Sequence, residues 1–376
     1  MAAIPNASGA SGASGATGLP VVAPRAAPVS KPSGTDGAGH AKGAGLLKPG
    51  IVVAVLILLG LFVPSVLRST FYLGLLVNAI TLGIAALAIG FLAHQSGLMM
   101  FGAAAFTGSA TYLFAIAVTR FGWNAMTAAA FTLVGATLLS ALIGALVVRA
   151  RPLPFAMLTL ALAQMLRSMV MITDFRPITG GDDGLALNFS GTFFGLTQAE
   201  LSKPEGFWPV AWLALCGVML LAWAVGRSRT GSVLRAIRAN EERMRFSGFN
   251  TYLPRVLAFT LSGFIAAVSG LLTGLYTAFA SPELLDFATG GNALVSTLVG
   301  GVSTVAGPVL GALLYVVGQD QFGATGHLEL LTGLGVVLVI VAFPEGIMGF
   351  VRNSIARVFR RGVHPLPKEG SDHAAR

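Results

Sequence analysis

The chain has 376 residues, of which 55% are hydrophobic and only 10% are charged. Soluble domains carry about 25% charged residues, so this composition excludes the ordinary soluble classes and indicates a polytopic helical membrane protein. The single cysteine, Cys216, excludes an intrachain disulfide and a Cys-rich metal site, while the net charge of +9 would favour nucleic-acid binding only in a soluble protein.

The N-terminal residues 1–48 consist mainly of Gly, Ala, Ser and Pro, with scattered basic residues and no apolar periodicity. Such a segment cannot bury a core, so we expect a disordered cytoplasmic tail. The first apolar run begins near Pro49, which is too late for the hydrophobic region of a cleavable signal peptide. We therefore expect a membrane domain at 49–350 and a basic cytoplasmic tail at 351–376.

Uncharged stretches define the expected spans, because a charge at the bilayer centre is costly. The stretch 69–119 has 51 residues, about 77 Å of helix, and must fold back once, at the polar turn 94–97. Single spans are expected at 49–67, 121–148, 153–173, 206–226, 256–281 and 330–343.

The stretch 287–319 has 33 uncharged residues, too many for one crossing and few for two. Gly300, Gly301, Gly307 and Pro308 interrupt a helix there, which predicts two short helices or a re-entrant pair. The expected fold is therefore an all-α transmembrane bundle of about ten membrane segments.

The positions of the basic residues predict the orientation of the chain. With both termini in the cytoplasm, 19 Lys and Arg residues lie inside and four lie outside. Because this bias sets orientation, the net charge is an orientation signal and indicates no nucleic-acid partner. A single crossing at 287–319 would place the basic C-terminal tail outside, which favours the broken pair. The segment 227–255 is then cytoplasmic and the loop 174–205 is periplasmic.

Motifs of enzymatic chemistry do not occur in the sequence. It has no G-x-x-x-x-G-K-[ST] loop, no H-E-x-x-H and no G-x-S-x-G motif. We therefore predict no catalytic residue and no metal site. An ion-coupled secondary transporter is an alternative, but it would need a buried Asp or Glu, which no expected span carries away from its ends. An integral membrane enzyme is a less favoured alternative, because convergent His or carboxylate groups are lacking.

The cytoplasmic segment 227–255 contains seven arginines and predicts a short amphipathic helix. Ser232 is the expected N-cap and Gly248 the expected end. Such a helix serves either as an anchor on anionic membrane lipid or as a docking element for a partner protein. The residues alone leave both interpretations open.

Polar side chains within the spans are candidates for a translocation path. Gln164 and Arg167 lie three residues apart on one helix face, and Asn78 lies in an earlier span. A fixed cation on a path would attract a carboxylate. However, Arg167 also lies near enough to the outer end to reach the interface, and hydrogen bonding between helices is the alternative for Asn78.

Six segments, in order along the chain, together resemble the membrane permease subunits of bacterial branched-chain amino acid ABC importers, whose close relatives carry urea and short amides. The segments are SGLMMFGAAAF at 96–106, LTLA at 158–161 with Arg167, TGGDDGL at 179–185, GSVLRAIRANE at 231–241, GGVSTVAGPVLGA at 300–312 and FPEG at 343–346. The resemblance implies an inner-membrane permease that forms half of the translocation path of an ATP-driven importer, and it leaves the solute open.

The same resemblance implies a set of partners: a second permease, two cytoplasmic ATPases and a periplasmic binding protein. ATP and Mg²⁺ would bind to the ATPases, so no cofactor is expected in this chain. The segment 231–248 would be a coupling helix that docks on the ATPase. The residues implied in coupling are Arg235, Arg238, Glu241 and Arg245.

The outer loop contains two adjacent acids, Asp182 and Asp183, within a glycine-rich turn. Complementary charge at this turn would steer the encounter with a binding protein. A solvated loop closed by glycines is an equally good interpretation of the same residues.

Overall fold

The protein is represented by a computed structural model that describes residues 58, 60–66, 69–189, 191–323, 333–334, 337–338, 341 and 346–349. The expected N-terminal and C-terminal tails, and much of the first and last spans, lie outside the described residues. The orientation used below is the one predicted from the basic residues.

Helices account for nearly all of the regular structure in the described part of the chain. The longer helices are α2 (Thr70–Ser96), α3 (Ala103–Thr119), α4 (Ala125–Val147), α5 (Pro152–Met171), α8 (Pro204–Arg227) and α11 (Tyr252–Thr277). The shorter helices are α1 (Val63–Val66), α6 (Arg176–Thr179), α7 (Gln198–Leu201), α9 (Arg229–Ala239), α10 (Glu241–Phe246), α12 (Phe287–Gly300) and α13 (Gly307–Gly323). Of the longer group, all but α3 meet the length and apolarity needed to cross a membrane. The predicted all-α polytopic bundle is confirmed.

The fold-back predicted at 94–97 is present between α2 and α3. Gly97 follows α2 with φ 73°, and its N–H donates to Ala93 O. A left-handed φ suits glycine, so the helix ends here and the chain reverses. The spans expected at 121–148, 153–173, 206–226 and 256–281 are found with ends within four residues of those predicted, as α4, α5, α8 and α11.

The bundle is organised around α2 and α11. Within their most apolar windows, 78% of α2 and 61% of α11 is buried, against 22% for both α5 and α8. A helix that is apolar on all sides suits the centre of a bundle. The exposed apolar faces of α5 and α8 are therefore left for lipid or for another chain.

Hydroxyl groups join the central helices through backbone carbonyls. Such bonds satisfy polar groups that cannot form hydrogen bonds with water inside a membrane. Gly270 allows one of these contacts, because a Cβ at this position would lie 1.9 Å from Thr107 O. The bonds are Thr111 Oγ1 to Gly270 O at 2.7 Å, Ser262 Oγ to Ala88 O at 2.8 Å, Ser269 Oγ to Thr81 O at 2.7 Å and Thr297 Oγ1 to Ala86 O at 2.9 Å.

The predicted broken pair is confirmed as α12 and α13, which are joined by residues 301–306. Their 14 and 17 residues give about 21 and 26 Å of helix, so each is shorter than the hydrocarbon core. Asp286 caps α12, and its Oδ1 accepts the Phe287 N–H at 2.7 Å. A carboxylate therefore lies at the N-terminus of a short helix within the bundle.

The outer loop folds onto the bundle instead of standing free in solvent. Strand β1 (Leu185–Ala186) pairs antiparallel with β2 (Phe279–Ala280), just after α11. Phe189 is buried, and its ring lies 6.3 Å from that of Phe114 in α3. Thr197 and Glu200 form a capping box at α7. Hydrogen bonds from the Thr197 backbone N–H and hydroxyl lower the pKa of the Glu200 carboxyl.

Candidate functional site

The cytoplasmic segment begins with a cap that differs from the predicted one. Ser228 Oγ accepts the Gly231 N–H at 3.3 Å and so caps α9. Ser232 lies inside the helix, where its hydroxyl donates to Ser228 O at 3.3 Å. The prediction of Ser232 as the cap was therefore wrong, because the helix starts one turn earlier.

The segment also forms two helices where one was predicted. Asn240 ends α9 in an extended conformation, with φ −160°, and its side chain caps α10 by accepting the Arg243 N–H at 2.9 Å. The prediction of one helix ending at Gly248 was wrong, because a capping asparagine interrupts it. The arginines of α9 and the charges of α10 therefore do not share one continuous face.

Two of the predicted coupling residues are bonded to the ends of the spans. Arg235 Nη1 donates to Gln95 Oε1 at 3.2 Å and to Gly226 O at 2.5 Å. Arg238 Nη1 donates to His94 O at 2.6 Å. A guanidinium at the C-terminal carbonyls of a helix is favourable in charge and in hydrogen bonding. These bonds attach α9 to the cytoplasmic ends of α2 and α8.

Close packing strengthens the attachment of α9. Leu234 and Ile237 are buried, and they form the inner face of the helix together with Gly231. A Cβ at Gly231 would lie 2.5 Å from Val225 O and 2.6 Å from Gly226 O, the last turn of α8. The helices touch backbone to backbone, and a larger residue at 231 would separate them.

Glu241 connects α10 to the start of α11. Its carboxylate lies 2.8 Å from Arg245 Nη2 and 2.8 Å from Arg255 Nη2, and it accepts a hydrogen bond from Thr251 Oγ1 at 3.4 Å. The side chain of Arg255 is only 12% exposed. Glu241 therefore balances a largely buried charge. We call α9 and α10, with these attachments to α2, α8 and α11, the inner joint.

The inner joint also carries exposed aromatic side chains. Phe246, at the end of α10, is 92% exposed, and Phe249 is 53% exposed. Exposed aromatics beside charged residues are typical of protein contact sites. These rings were not predicted as site residues, although they are visible in the sequence as apolar residues within a basic segment.

On the outer side, the structure brings together two of the predicted path residues. Arg167 Nε lies 4.0 Å from Asp286 Oδ1, and Gln164 Nε2 donates to the same oxygen at 3.5 Å. We call these three residues the outer cluster. Asn78 is exposed on α2, and no hydrogen bond or ion pair of the described residues joins it to this cluster. The path role of these side chains stays a prediction.

Asp286 was not predicted from the sequence, where it only precedes the uncharged stretch 287–319. Its capping role could have been predicted, because aspartate is a preferred N-cap residue before a helix. Its contact with α5 was not, because Arg167 lies far away in the chain and only the folded bundle brings the two together.

The acids predicted to meet a binding protein lie at the surface of the outer loop. Asp183 Oδ2 lies 3.0 Å from Arg176 Nη2, and both side chains are exposed. Asp182 is exposed as well. The docking role of Asp182 and Asp183 stays a prediction.

The fold and these two regions define a multi-pass integral membrane protein with a short helical segment fixed to its spans. The chain belongs to the family of permease components of branched-chain amino acid transport systems, whose model matches residues 71–343.

Curated relatives of the chain include three permease proteins of high-affinity branched-chain amino acid transport systems. LivM of Escherichia coli K12 is 25% identical over 279 residues, which cover 68% of this chain and 65% of the relative. LivH of Salmonella typhimurium is 23% identical and covers 53% of this chain and 67% of the relative. BraD of Pseudomonas aeruginosa is 30% identical over 144 residues, which cover 37% of this chain and 45% of the relative. No solved structure matches the chain.

Proposed function

We propose that this chain is the permease subunit of an ATP-driven importer in a bacterial inner membrane. It forms half of a translocation path together with a second permease. Two cytoplasmic ATPases drive the cycle, and a periplasmic binding protein delivers the solute. ATP and Mg²⁺ bind to the ATPases, while this chain supplies no covalent chemistry and holds no cofactor. The family match over residues 71–343 supports this class of function.

The observation that carries the proposal is the two-sided construction of the inner joint. One side is hydrogen-bonded to the ends of α2 and α8, and the other exposes Phe246 and Phe249. A segment that only anchored the chain on lipid would not need such fixed bonds to the spans. A docking element does need them, because motion of a bound partner must reach the helices.

The predicted coupling residues take two different roles in this proposal. Arg235 and Arg238 transmit motion, because they hold α9 to the 94–97 turn and to α8. Glu241 and Arg245 keep α10 in place beside α11. Contact with the ATPase is then made chiefly by Phe246 and Phe249, since an aromatic side chain that becomes buried contributes much of the energy of an interface.

The proposed solute is a branched-chain amino acid, in keeping with the names of the relatives. Asp182 and Asp183 on the outer loop meet the binding protein through complementary charge. Gln164, Arg167 and Asn78 lie on or near the translocation path. The partner ATPases separate this function from an ion-coupled transporter or a membrane enzyme, neither of which requires them.

Co-purification in mild detergent tests the proposal. The tagged permease should bring its ATPase subunits with it, and Phe246→Ala should reduce the recovered ATPase by about tenfold, as expected for an interface residue worth more than 1 kcal/mol. Phe194→Ala is the matched control, because Phe194 is 71% exposed but lies on the outer loop. Its ATPase recovery should equal that of the wild type.

Two results would contradict the proposal. If the wild-type permease carries no ATPase and takes up solute without ATP, the chain is not an importer subunit. If the ATPase is bound equally well by wild type and Phe246→Ala, Phe246 does not contact the ATPase, and the exposed side of the inner joint no longer supports the proposal.

A further inference from the structure

Arg167 has an unusual environment for a charged residue within a span. A guanidinium has five N–H donors. In the described part of the chain none of them makes a hydrogen bond, and Nε is buried without a partner. The contact with Asp286 Oδ1 is 4.0 Å long, which is beyond hydrogen-bonding distance. The side chain as a whole is 34% exposed.

Asp286 is also only partly engaged. Its Oδ1 serves the helix cap and the Gln164 amide, whereas no hydrogen bond of the described residues reaches Oδ2. Its side chain is 37% exposed. A structural Arg–carboxylate pair normally closes to about 2.7–2.9 Å and is often bidentate. The outer cluster therefore holds two opposite charges side by side that do not form a close, hydrogen-bonded ion pair.

This arrangement does not suit a surface that faces hydrocarbon. An intramembrane arginine without hydrogen bonds is costly, and such groups face a bundle interior or a water-filled cavity. Because both charges remain about one-third exposed, the cluster is open on one side to water, to a partner or to a solute.

We propose that the outer cluster is a binding site for a zwitterionic α-amino acid on the translocation path. Free Nη donors of Arg167 bind the carboxylate of the solute, and the free Oδ2 of Asp286 accepts from its ammonium group. Gln164 positions Asp286. The two charges of an α-amino acid flank a single carbon atom, so a site for both must place a cation beside an anion, as here. This inference rests on the proposed importer function and assigns the residues that bind its solute.

The proposal separates the solutes that the sequence left open. Urea and short amides carry no charged groups, so they would form no charge-assisted hydrogen bond with either Arg167 or Asp286. Each charge-assisted hydrogen bond that an uncharged analogue cannot form weakens its binding, by about tenfold or more even at these partly exposed groups. The outer cluster therefore selects amino acids over urea and short amides.

The test uses the complete wild-type importer in nanodiscs, without its binding protein, so that the permease itself is probed. Radiolabelled L-leucine is bound at equilibrium and competed with 4-methylpentanoate, which lacks the ammonium, with 3-methylbutylamine, which lacks the carboxylate, and with acetamide. We expect unlabelled L-leucine to compete at least tenfold better than each of the other three compounds.

Two variants remove one charge each. Arg167→Met and Asp286→Asn should each weaken L-leucine binding at least tenfold, and the asparagine still caps α12. Arg167→Lys keeps the positive charge and should retain part of the binding. The matched controls are Arg120→Met and Asp174→Asn, which remove exposed charges on the outer side and should bind as the wild type does.

Unchanged L-leucine binding in both Arg167→Met and Asp286→Asn overturns the proposal, as does equal competition by a compound with one charge. The proposal is also overturned if the complex binds anionic lipid through Arg167 and does not bind L-leucine, because Arg167 would then be a site for a phosphate headgroup. If a variant does not assemble, Arg167→Lys decides: weakened L-leucine binding in an assembled complex supports the site, and unchanged binding counts against it. ATP-coupled uptake by the wild type is measured separately, so that failure of the importer function is recognised as such.

Discussion

The inner joint and the outer cluster use similar residues in opposite ways. At the inner joint, Arg235 and Arg238 donate to fixed acceptors at 2.5–3.2 Å. In the outer cluster, Arg167 approaches its partner only to 4.0 Å and makes no hydrogen bond within the described residues. Arginines whose donors are used define a rigid connection, whereas an arginine whose donors are free is available for a ligand.

In the proposed function, one chain combines a rigid connection at the inner joint with solute binding at the outer cluster. Motion from a partner is transmitted only if the connecting segment keeps its geometry, and close charge-assisted hydrogen bonds provide this. A translocation path must bind its solute weakly enough to release it. Its polar groups must also be free to contact the solute, so they cannot be fully hydrogen-bonded to one another. We therefore expect substitutions at the two regions to fail in different ways.

Charge reversal at the inner joint should have the largest effect. In Arg235→Glu combined with Arg238→Glu, carboxylates would face the carbonyl oxygens of Gly226 and His94. The lost bonds are worth about 1–2 kcal/mol each at partly exposed side chains, and repulsion adds to this. We expect ATP-dependent uptake into proteoliposomes to be abolished, while membrane insertion, measured by protease accessibility, remains normal.

Arg151→Glu is the control for this reversal. Arg151 is exposed between α4 and α5, outside the inner joint, and in the described part of the chain its side chain makes no hydrogen bond or ion pair. Uptake should stay close to the wild-type rate. Full uptake by the double reversal would show that the joint does not transmit motion through these arginines.

A smaller effect is expected from a substitution at Glu241, and its neighbour Glu242 provides the comparison. Glu241→Gln removes the counter-charge of Arg255, which is only 12% exposed. Breaking a fully buried pair costs about 3–5 kcal/mol. Glu241 is itself 30% exposed, so we expect a loss of about 1–3 kcal/mol in the unfolding free energy of the purified permease.

Glu242→Gln is the matched control, because Glu242 is exposed and pairs with no group among the described residues. Thermal unfolding in detergent compares the two variants under the same conditions. Equal midpoints for both would mean that the Glu241–Arg255 pair does not stabilise the joint.

The spans that the structure describes could be predicted from the sequence, because each depends on a long uncharged stretch and on a few breaking residues. The polar turn 94–97 and the glycines around Pro308 marked the reversal and the broken pair correctly, since their effects are local. Ser232 was the wrong cap, because Ser228 and Ser232 are both capping residues and only the packing of Gly231 against Val225 and Gly226 decides between them.

The candidate sites were less predictable than the spans. Arg167 and Gln164 were found from their polarity alone, but Asp286 joins them only through the folded bundle. Likewise, Arg235 and Arg238 were predicted as coupling residues, and nothing local indicated that Gln95 and the His94 carbonyl would accept their hydrogen bonds. Contacts between distant segments follow from packing, which one sequence does not display.

The smallest expected effect concerns an ion pair on the outer loop, and it sharpens the contrast with the outer cluster. Arg176 Nη2 lies 3.0 Å from Asp183 Oδ2, closer than Arg167 lies to Asp286, but the side chains are 57% and 82% exposed. Exposed pairs contribute about 0–1 kcal/mol, so Arg176→Met should change the unfolding free energy by less than about 0.5 kcal/mol. Any difference should vanish at high salt, because solvent-exposed charges are screened. A loss that exceeds 1 kcal/mol and persists at high salt would show that the loop depends on this pair for its fold. A short distance would then indicate a stabilising arginine on the loop as it does at the inner joint. We expect instead that the burial of each arginine decides how much it contributes to stability.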